Sequence, residues 1–457
     1  MQTEIRIKIR IKKKIKTRCD CARGLLILIF LLILIHPVTA QETNPTSQPI
    51  DLPTALRLAG AQNLDVQIAQ ARLAEAKANH QSALAQFFPW ISPGISYRQH
   101  DGKLQETSGN ILDVHKNSYA PGATVGVQLD LGDAIYKTLA AKQLAKAADH
   151  AVEAQRQESV LLAAQGYFEL TLAQGSVGVA QESVRIAGDY ERELGHAVEA
   201  GLAFKGDLLR ARLQVERDRL TLRQAREQKR VAAARLAQVL RLDPAVELAA
   251  QDSDLAPLTL IETDAALDTL VQRSLASRPE LHQSRSTTAA AREAMNGAIY
   301  GPLIPSIGAQ GFWGGLGGGR RGAGDTFGGQ QDYLVGVSWR IGPGGLFDFG
   351  RVRSAESRSK IAGLNYEKQR DEATREVVEA FTRWQSLADQ LITAQRALVA
   401  AEEGLKLAQQ RKEFAVGVVL ETIQAGQDLA RTRLDYLKTA ASFNSAQYTL
   451  RKSIGGL

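Results

Sequence analysis

Tyr333-Leu334-Val335-Gly336-Val337-Ser338-Trp339-Arg340-Ile341 sets Tyr, Val, Val, Trp and Ile at every second position, with Leu, Gly, Ser and Arg between them. Period two belongs to a β-strand, whose side chains point alternately to its two faces, so the run reads as a strand. Just beyond it the prolines stop. None occurs from residue 344 to 457, so the strand feeds a stretch free of the strongest helix breaker. The same passage occurs earlier in the chain. Val125, Val127, Leu129 and Leu131 alternate with Thr124, Gly126, Gln128 and Asp130, and residues 122 to 243 again lack proline.

This is a duplication. Asn63-Leu64-Asp65-Val66 and Arg278-Pro279-Glu280-Leu281 are similar turns 215 residues apart, and Pro89 and Pro305 follow Phe87-Phe88 and Leu303-Ile304 at 216. Asp133 pairs with Asp348 at 215, and Gly201 with Gly417 at 216. A period this long implies two copies of a whole structural unit rather than a solenoid. The copies run over 51–243 and 264–457, behind an N-terminal linker at 41–50 and joined by an acidic, proline-containing linker at 244–263. Each reads helix, strand, loop, strand, long helix, turn, helix. The first helix runs from about 52 to 87 and stops at Pro89. Strands are expected at about 91–100, 123–131, 306–313 and 333–341, with loops near 101–120 and 314–332. Ten glycines in residues 311–330 read as a surface loop, because no Gly-Lys-Ser/Thr is present and no helix follows closely.

The clearest strands approach the length of a tilted membrane-spanning strand, about 9 to 11 residues, with one face for lipid and one for a polar interior. Taken singly, each fits an ordinary half-buried soluble strand better, because the alternating signal of one segment is weak. Trp90, Trp313 and Trp339 cluster in or beside the strands, with Tyr333 among them, as an aromatic belt at a membrane boundary does and as core packing also does.

The proline-free windows predict helical hairpins over 133–241 and 348–455. Each outgoing helix is on the order of 100 Å long, and Asp371, Glu372, Arg375, Glu376 and Glu379 crowd a few turns of the second, so these helices stand in water. Val377, Phe381, Trp384, Ala388, Leu391, Ala394, Leu398, Ala401, Leu405 and Ala408 form a nearly regular heptad seam. The return helices, Asp207 to Leu240 and Glu421 to Ile454, are its antiparallel partners.

Composition excludes much else. The chain of 457 residues carries a formal charge of +7, and residues 1–40 hold all of that excess: nine basic side chains against two acids, followed by the apolar run Leu25 to Ile35 and Val38-Thr39-Ala40. That is the pattern of a cleaved export signal, with the mature chain expected to start at Gln41 and to be neutral, so no nucleic-acid partner is indicated. Cys19 and Cys21 precede the apolar run; removing them leaves no disulfide, thiolate metal site, cysteine nucleophile or lipidated cysteine. The histidines are dispersed, and Gly-x-Ser-x-Gly and Walker motifs are absent. No enzyme, cofactor or metal site is expected.

The ordered and duplicated pieces resemble the TolC-like outer membrane efflux protein family. The resemblance is carried by the Pro89 and Pro305 turns, Val335-Gly336-Val337-Ser338-Trp339 leading to Leu346-Phe347-Asp348-Phe349-Gly350-Arg351, and Ala200-Gly201-Leu202-Ala203 followed by Asp207-Leu208-Leu209. Leu420-Glu421-Thr422-Ile423-Gln424-Ala425, Leu434-Asp435-Tyr436-Leu437 and Ile454-Gly455-Gly456 complete it. It implies an α+β membrane protein: a homotrimer whose twelve strands form one outer membrane β-barrel, continued by a coiled-coil α-helical barrel through the periplasm. The implied function is a passive exit duct for small molecules or ions that docks with a periplasmic adaptor and an inner membrane transporter. Serving a type I protein secretion system is an alternative, and a periplasmic coiled-coil adaptor is the rival of another class. By the same resemblance the tips, Gly201, Leu202 and Ala203 with Gly417 and Val418, meet the adaptor; a left-handed helix cap explains the glycines equally. Two acidic gate positions of relatives fall on Glu421 and Gln424. The aromatic and basic latch positions become Phe414 and Val419, while Asp207 remains.

Overall fold

The computed structural model describes residues 48–243, 245–251, 255–261, 266–320, 326–413 and 419–457. The expected leader and its expected cut before Gln41 lie outside them, as do Phe414, Gly417 and Val418. β1 (Gln48–Ile50) lies in the N-terminal linker, and the first copy comprises α1 (Leu52–Gln62), α2 (Leu64–Ala85), β2 (Trp90–Gln105), β3 (Ile111–Asp130), α3 (Leu131–Glu199) and α4 (Lys205–Leu240). β4 (Leu248–Ala250) lies in the inter-copy linker, and the second copy comprises α5 (Leu267–Ser277), α6 (Pro279–Tyr300), β5 (Ser306–Arg320), β6 (Thr326–Ser338), α7 (Phe349–Glu413) and α8 (Val419–Ser453). The paired short helices of the two copies start 215 residues apart, and β2 and β5 start 216 apart.

The expected first helix, 52–87, is two helices. Asn63 is extended (ψ 136°), its Oδ1 accepts from the N–H of Asp65 at 2.8 Å, and its Nδ2 donates to the carbonyl of Val239 at 3.0 Å. An asparagine that caps one helix and anchors to another outweighs the helical pattern running through it. Arg278 stands at the same place in the second copy, and Pro279 opens α6.

The strands are longer than their alternation suggests. β2 and β3 pair without a break from Trp90↔Gly126 to Gln105↔Ile111, so the expected loop at 101–120 reduces to a tight turn in which Glu106 N–H donates to Asn110 at 2.9 Å. Beyond residue 98 both faces of β2 are polar (Gln99, His100, Asp101), which erases the period-two signal while the backbone ladder continues. The glycine-rich stretch is likewise strand up to Arg320 and again from Thr326. Its glycines leave space that aromatic rings occupy: a Cβ on Gly315 would lie 2.2 Å from the Phe327 ring, and one on Gly317 2.4 Å from Tyr119. Rings laid across glycine stabilise a strand whose own side chains contribute nothing. At the other end, β6 stops at Ser338, and Trp339 donates its indole N–H to the carbonyl of Leu303 at 3.3 Å.

α3 and α7 have 69 and 65 residues, about 100 Å each at 1.5 Å per residue. Among the described residues no helix is long and apolar enough to cross a membrane. The seam on α7 packs as read: Val377, Trp384, Leu391, Leu405 and Ala408 are buried, and the intervening members are half-buried. Val377 and Trp384 meet Ala446 and Leu450 of α8, Ile454 just beyond its end, and Leu270 of α5.

The linkers are partly built into this core. β1 pairs in parallel with β4, and Leu248 and Leu255 are buried. Two fully buried amides on α8 hold the chain that follows. Asn444 accepts from Leu258 N–H at 2.8 Å and donates to Ala256 at 2.9 Å, while Gln447 accepts from Leu260 N–H at 2.7 Å and donates to Leu258 at 2.8 Å. Nearby, Arg278 (side chain 5% exposed) contacts Glu376 at 2.6 Å and Glu280 at 3.5 Å, and Lys452 bridges Glu158 at 3.1 Å and Glu280 at 3.3 Å. Burial pushes the Glu280 carboxyl up, but Arg278 and Lys452 outweigh it and hold the group below its ordinary value. Burial pushes Lys452 down, and Glu280 and Glu158 reverse that.

Candidate functional site

The four long strands form one antiparallel sheet in the order β2-β3-β5-β6. Residues of like parity stand opposite each other throughout, as in Ile91↔Val125↔Gly311↔Tyr333. Side chains alternate between faces, so every odd-numbered residue shares one face and every even-numbered residue the other. Over the half nearer the helices, the odd face carries Ile91, Ile95, Tyr97, Val125, Val127, Leu129, Ile307, Trp313, Tyr333, Val335 and Val337. The even face carries Ser92, Ser96, Thr124, Gln128, Gln310, Gln330, the carboxylates Asp130 and Asp332, and glycines, with Trp90, Phe312 and Leu334 as its large apolar members. On β3 the apolar series runs from Tyr119 to Leu129, ten steps of about 3.4 Å, which at a tilt of about 45° spans about 24 Å of height.

Two of the belt candidates come together on the odd face. Trp313 donates its indole N–H to the Tyr333 hydroxyl at 2.9 Å, with the rings edge-to-face at 5.5 Å. Trp90 does not join them. Its even position puts it on the polar face, over Gly126, where an added Cβ would sit 2.4 Å from the indole. The clustering of tryptophans in sequence ignored the parity that separates them.

At the far end of the helices, α3 closes on Gly201 (φ 73°), with Leu202 N–H donating to Ala197 at 2.8 Å. That is a left-handed glycine cap. Leu202 and Phe204 are exposed, whereas Ala203 leans on a small core of Tyr190, Leu194, Leu208 and Ala211. Asp207 meets Arg210 of its own helix at 3.4 Å. Burial, then the charges of Asp207 and Glu193, push the Tyr190 hydroxyl up to about 12. Glu421 lies in the first turn of α8, which Val419 opens, and pairs with Arg411 of α7 at 2.8 Å; Gln424 is exposed. The carboxylate is thus neutralised by a residue that the sequence reading did not consider.

A cavity of about 60 Å³ separates α3, α4 and α8 here, lined by Tyr190, Gln214, Asp218, Thr422, Gly426 and Gln427 among others. Gln427 Nε2 donates to Gln214 Oε1 at 2.6 Å, and Gln214 Nε2 to Asp218 Oδ1 at 2.9 Å, a polar chain joining the two copies. Burial pushes Asp218 up, and the Gln214 bond only partly offsets it. This chain was missed, yet it had a signal: Asp218 continues the apolar spacing Leu208, Ala211, Val215 and interrupts it with a charge. Among the described residues no group of three or more His, Cys, Asp or Glu is placed to hold a metal ion.

The sequence model of the outer membrane efflux protein family matches twice in order, at residues 55–240 and 270–456. The cation efflux system protein CusC of Escherichia coli K12 is 25% identical over 408 residues, covering 86% of this chain and 84% of that protein. The fold is similar to the CmeC outer membrane channel of Campylobacter jejuni, with TM-score 0.76, 19% identity, and 89% and 85% of the two chains covered. It is similar also to a membrane protein of Pseudomonas aeruginosa, with TM-score 0.76, 20% identity, and 88% and 93% covered. The duplicated helix-strand-strand-helix architecture and the two-fold match of the family model lead to one assignment: the chain belongs to the outer membrane efflux protein family.

Proposed function

We propose that the protein is the outer membrane duct of a tripartite export system, working as a homotrimer. The observation that carries this is the sheet, apolar on one face over about 24 Å and polar on the other, with β2 and β6 as unpaired edges. Backbone groups cannot stay unpaired in lipid, so edges must meet edges of further copies; the number three comes from the family resemblance. The odd face meets lipid and the even face lines the lumen. The helices continue the conduit through the periplasm, and the exposed tip around Gly201, Leu202 and Phe204, with Gly417 and Val418, meets the adaptor through which an inner membrane pump delivers cargo. The chain supplies no energy. Small ions are the favoured cargo, since the curated relatives are named for cation efflux.

Glu421 and Gln424 then face the constriction, with Asp207, Phe414 and Val419 near it. Because Glu421 is paired with Arg411, the constriction carries less free negative charge than bare carboxylates would give it. Light scattering in detergent should report a trimer, and planar-bilayer recording should show a conductance. Arg411→Gln should raise cation selectivity and Glu421→Gln lower it, while Gln424→Asp strengthens block by multivalent cations. A stable monomer without conductance would refute the duct; intact conductance with selectivity indifferent to Glu421 and Arg411 would remove both from the constriction.

A further inference from the structure

The hairpin turn of the first copy, the last residue of β5 and the first of β6 lie at the end of the sheet opposite the helices. There the two faces diverge in charge. Arg98 stands opposite Ser118, and two positions further out His100 stands opposite Lys116, which stands opposite Arg320. All of these positions are even-numbered, on the face that carries Ser92, Thr124 and Gln310 lower down. From Gly94 to Leu104 and across the paired positions of β3, β5 and β6, no acidic residue occupies an even position among the described strand residues. The acids of this region, Asp101 and Asp113, are odd-numbered, and His115 bonds Asp101 at 3.0 Å on that opposite face. The ion pairs of the described residues leave Arg98 and Lys116 without a carboxylate partner, and both are exposed. The nearest turn carboxylate, Glu106, accepts from Ser108 at 3.3 Å.

We infer that the distal mouth of the pore carries a ring of fixed positive charge, built from Arg98 and Lys116, that favours anions over cations in either direction. The inference rests on the duct reading above. Twelve strands about 4.8 Å apart and tilted about 45° close at a Cα radius of about 13 Å, and long side chains reaching inward keep the axis within about one Debye length at 0.1 M salt. Symmetry repeats each charge around the mouth, where a wall of low dielectric focuses the field. In a passive duct such a ring raises the barrier for cations, and lowers it for anions, in both directions. The two ends of one conduit then differ in kind, with a paired carboxylate at the inner end and free cations at the outer.

The test is planar-bilayer recording of the mature full-length protein under a KCl gradient, at about 0.01–0.1 M salt, where screening is weakest. The double variant Arg98→Gln/Lys116→Gln should raise the K⁺/Cl⁻ permeability ratio about threefold with conductance retained. Ser118→Asp, which sets a carboxylate opposite Arg98 without removing a cation, should shift the ratio the same way. Asp101→Asn/Asp113→Asn on the opposite face should leave it unchanged. Normal conductance with an unaltered ratio in the first two variants would overturn the ring, as would an equal shift from the odd-face pair. A wild-type protein that opens no conductance would instead overturn the duct reading.

Discussion

Gln447→Ala removes the two hydrogen bonds through which a buried α8 side chain holds the inter-copy linker at Leu258 and Leu260. Each such bond contributes about 1 kcal/mol net. The linker is half-buried at both residues, so water satisfies part of what is exposed, and the loss should stay near 2 kcal/mol rather than reach the full penalty of orphaned groups. Local opening should therefore become about 30-fold more frequent. Adding Asn444→Ala, which removes the bonds to Leu258 N–H and the Ala256 carbonyl, should bring the total to about 4 kcal/mol. Hydrogen exchange followed by mass spectrometry reads this directly at the amides of Leu258 and Leu260. Faster exchange confined to the linker is expected. Unchanged exchange there in Gln447→Ala would refute the clamp, and equal acceleration across every helix would mean that the amide supports the whole core instead.

Glu280→Gln should cost about 3 kcal/mol, because Arg278 and Lys452 keep their charges with one fewer partner; thermal unfolding at neutral pH measures it. The Glu280 carboxyl sits below its ordinary value of 4.5, so its contribution is complete above that value and lost as pH falls through the folded one; the variant should flatten the acid limb of a stability profile. Asp218 has the opposite sign. Its folded value is raised above 3.8 by burial, so ionising it costs stability as pH rises, and Asp218→Asn should raise the unfolding temperature at neutral pH with no gain below about pH 3.8. Gly315→Val should lower the yield of assembled oligomer on a semi-native gel, since its side chain would meet the Phe327 ring, while Gly308→Val, with open space around it, should assemble normally.

The long helices, their seam and the duplication were legible because each rests on a period repeated many times. Ten members of one heptad series on α7 outvote any local irregularity. The sheet was legible only where its faces differ: Val335 and Val337 announce a strand, but Gln99-His100-Asp101, polar on both sides, cannot. The glycine run failed for a related reason, because what makes it a strand is aromatic rings on neighbouring strands, Phe327 on the next strand and Tyr119 far away in sequence. Asn63 breaks its helix through a bond to Val239, a partner 176 residues distant. At the tip, Glu421 was singled out by resemblance alone, whereas its partner Arg411 reads as one more charge on a solvated helix.

The fusion of two copies into one chain fixes the arithmetic of any ring it forms. The seam between β3 and β5 is internal to the chain, so each subunit brings four strands as a preassembled block, and a ring of such blocks grows only in steps of four. It also halves mutational multiplicity. Around a ring of three, a substitution in α4 appears three times and leaves its counterpart in α8 untouched, so the halves are free to specialise. Asp207 pairs within its own helix at one tip, whereas Glu421 pairs across to α7 at the other, so the two halves already differ there.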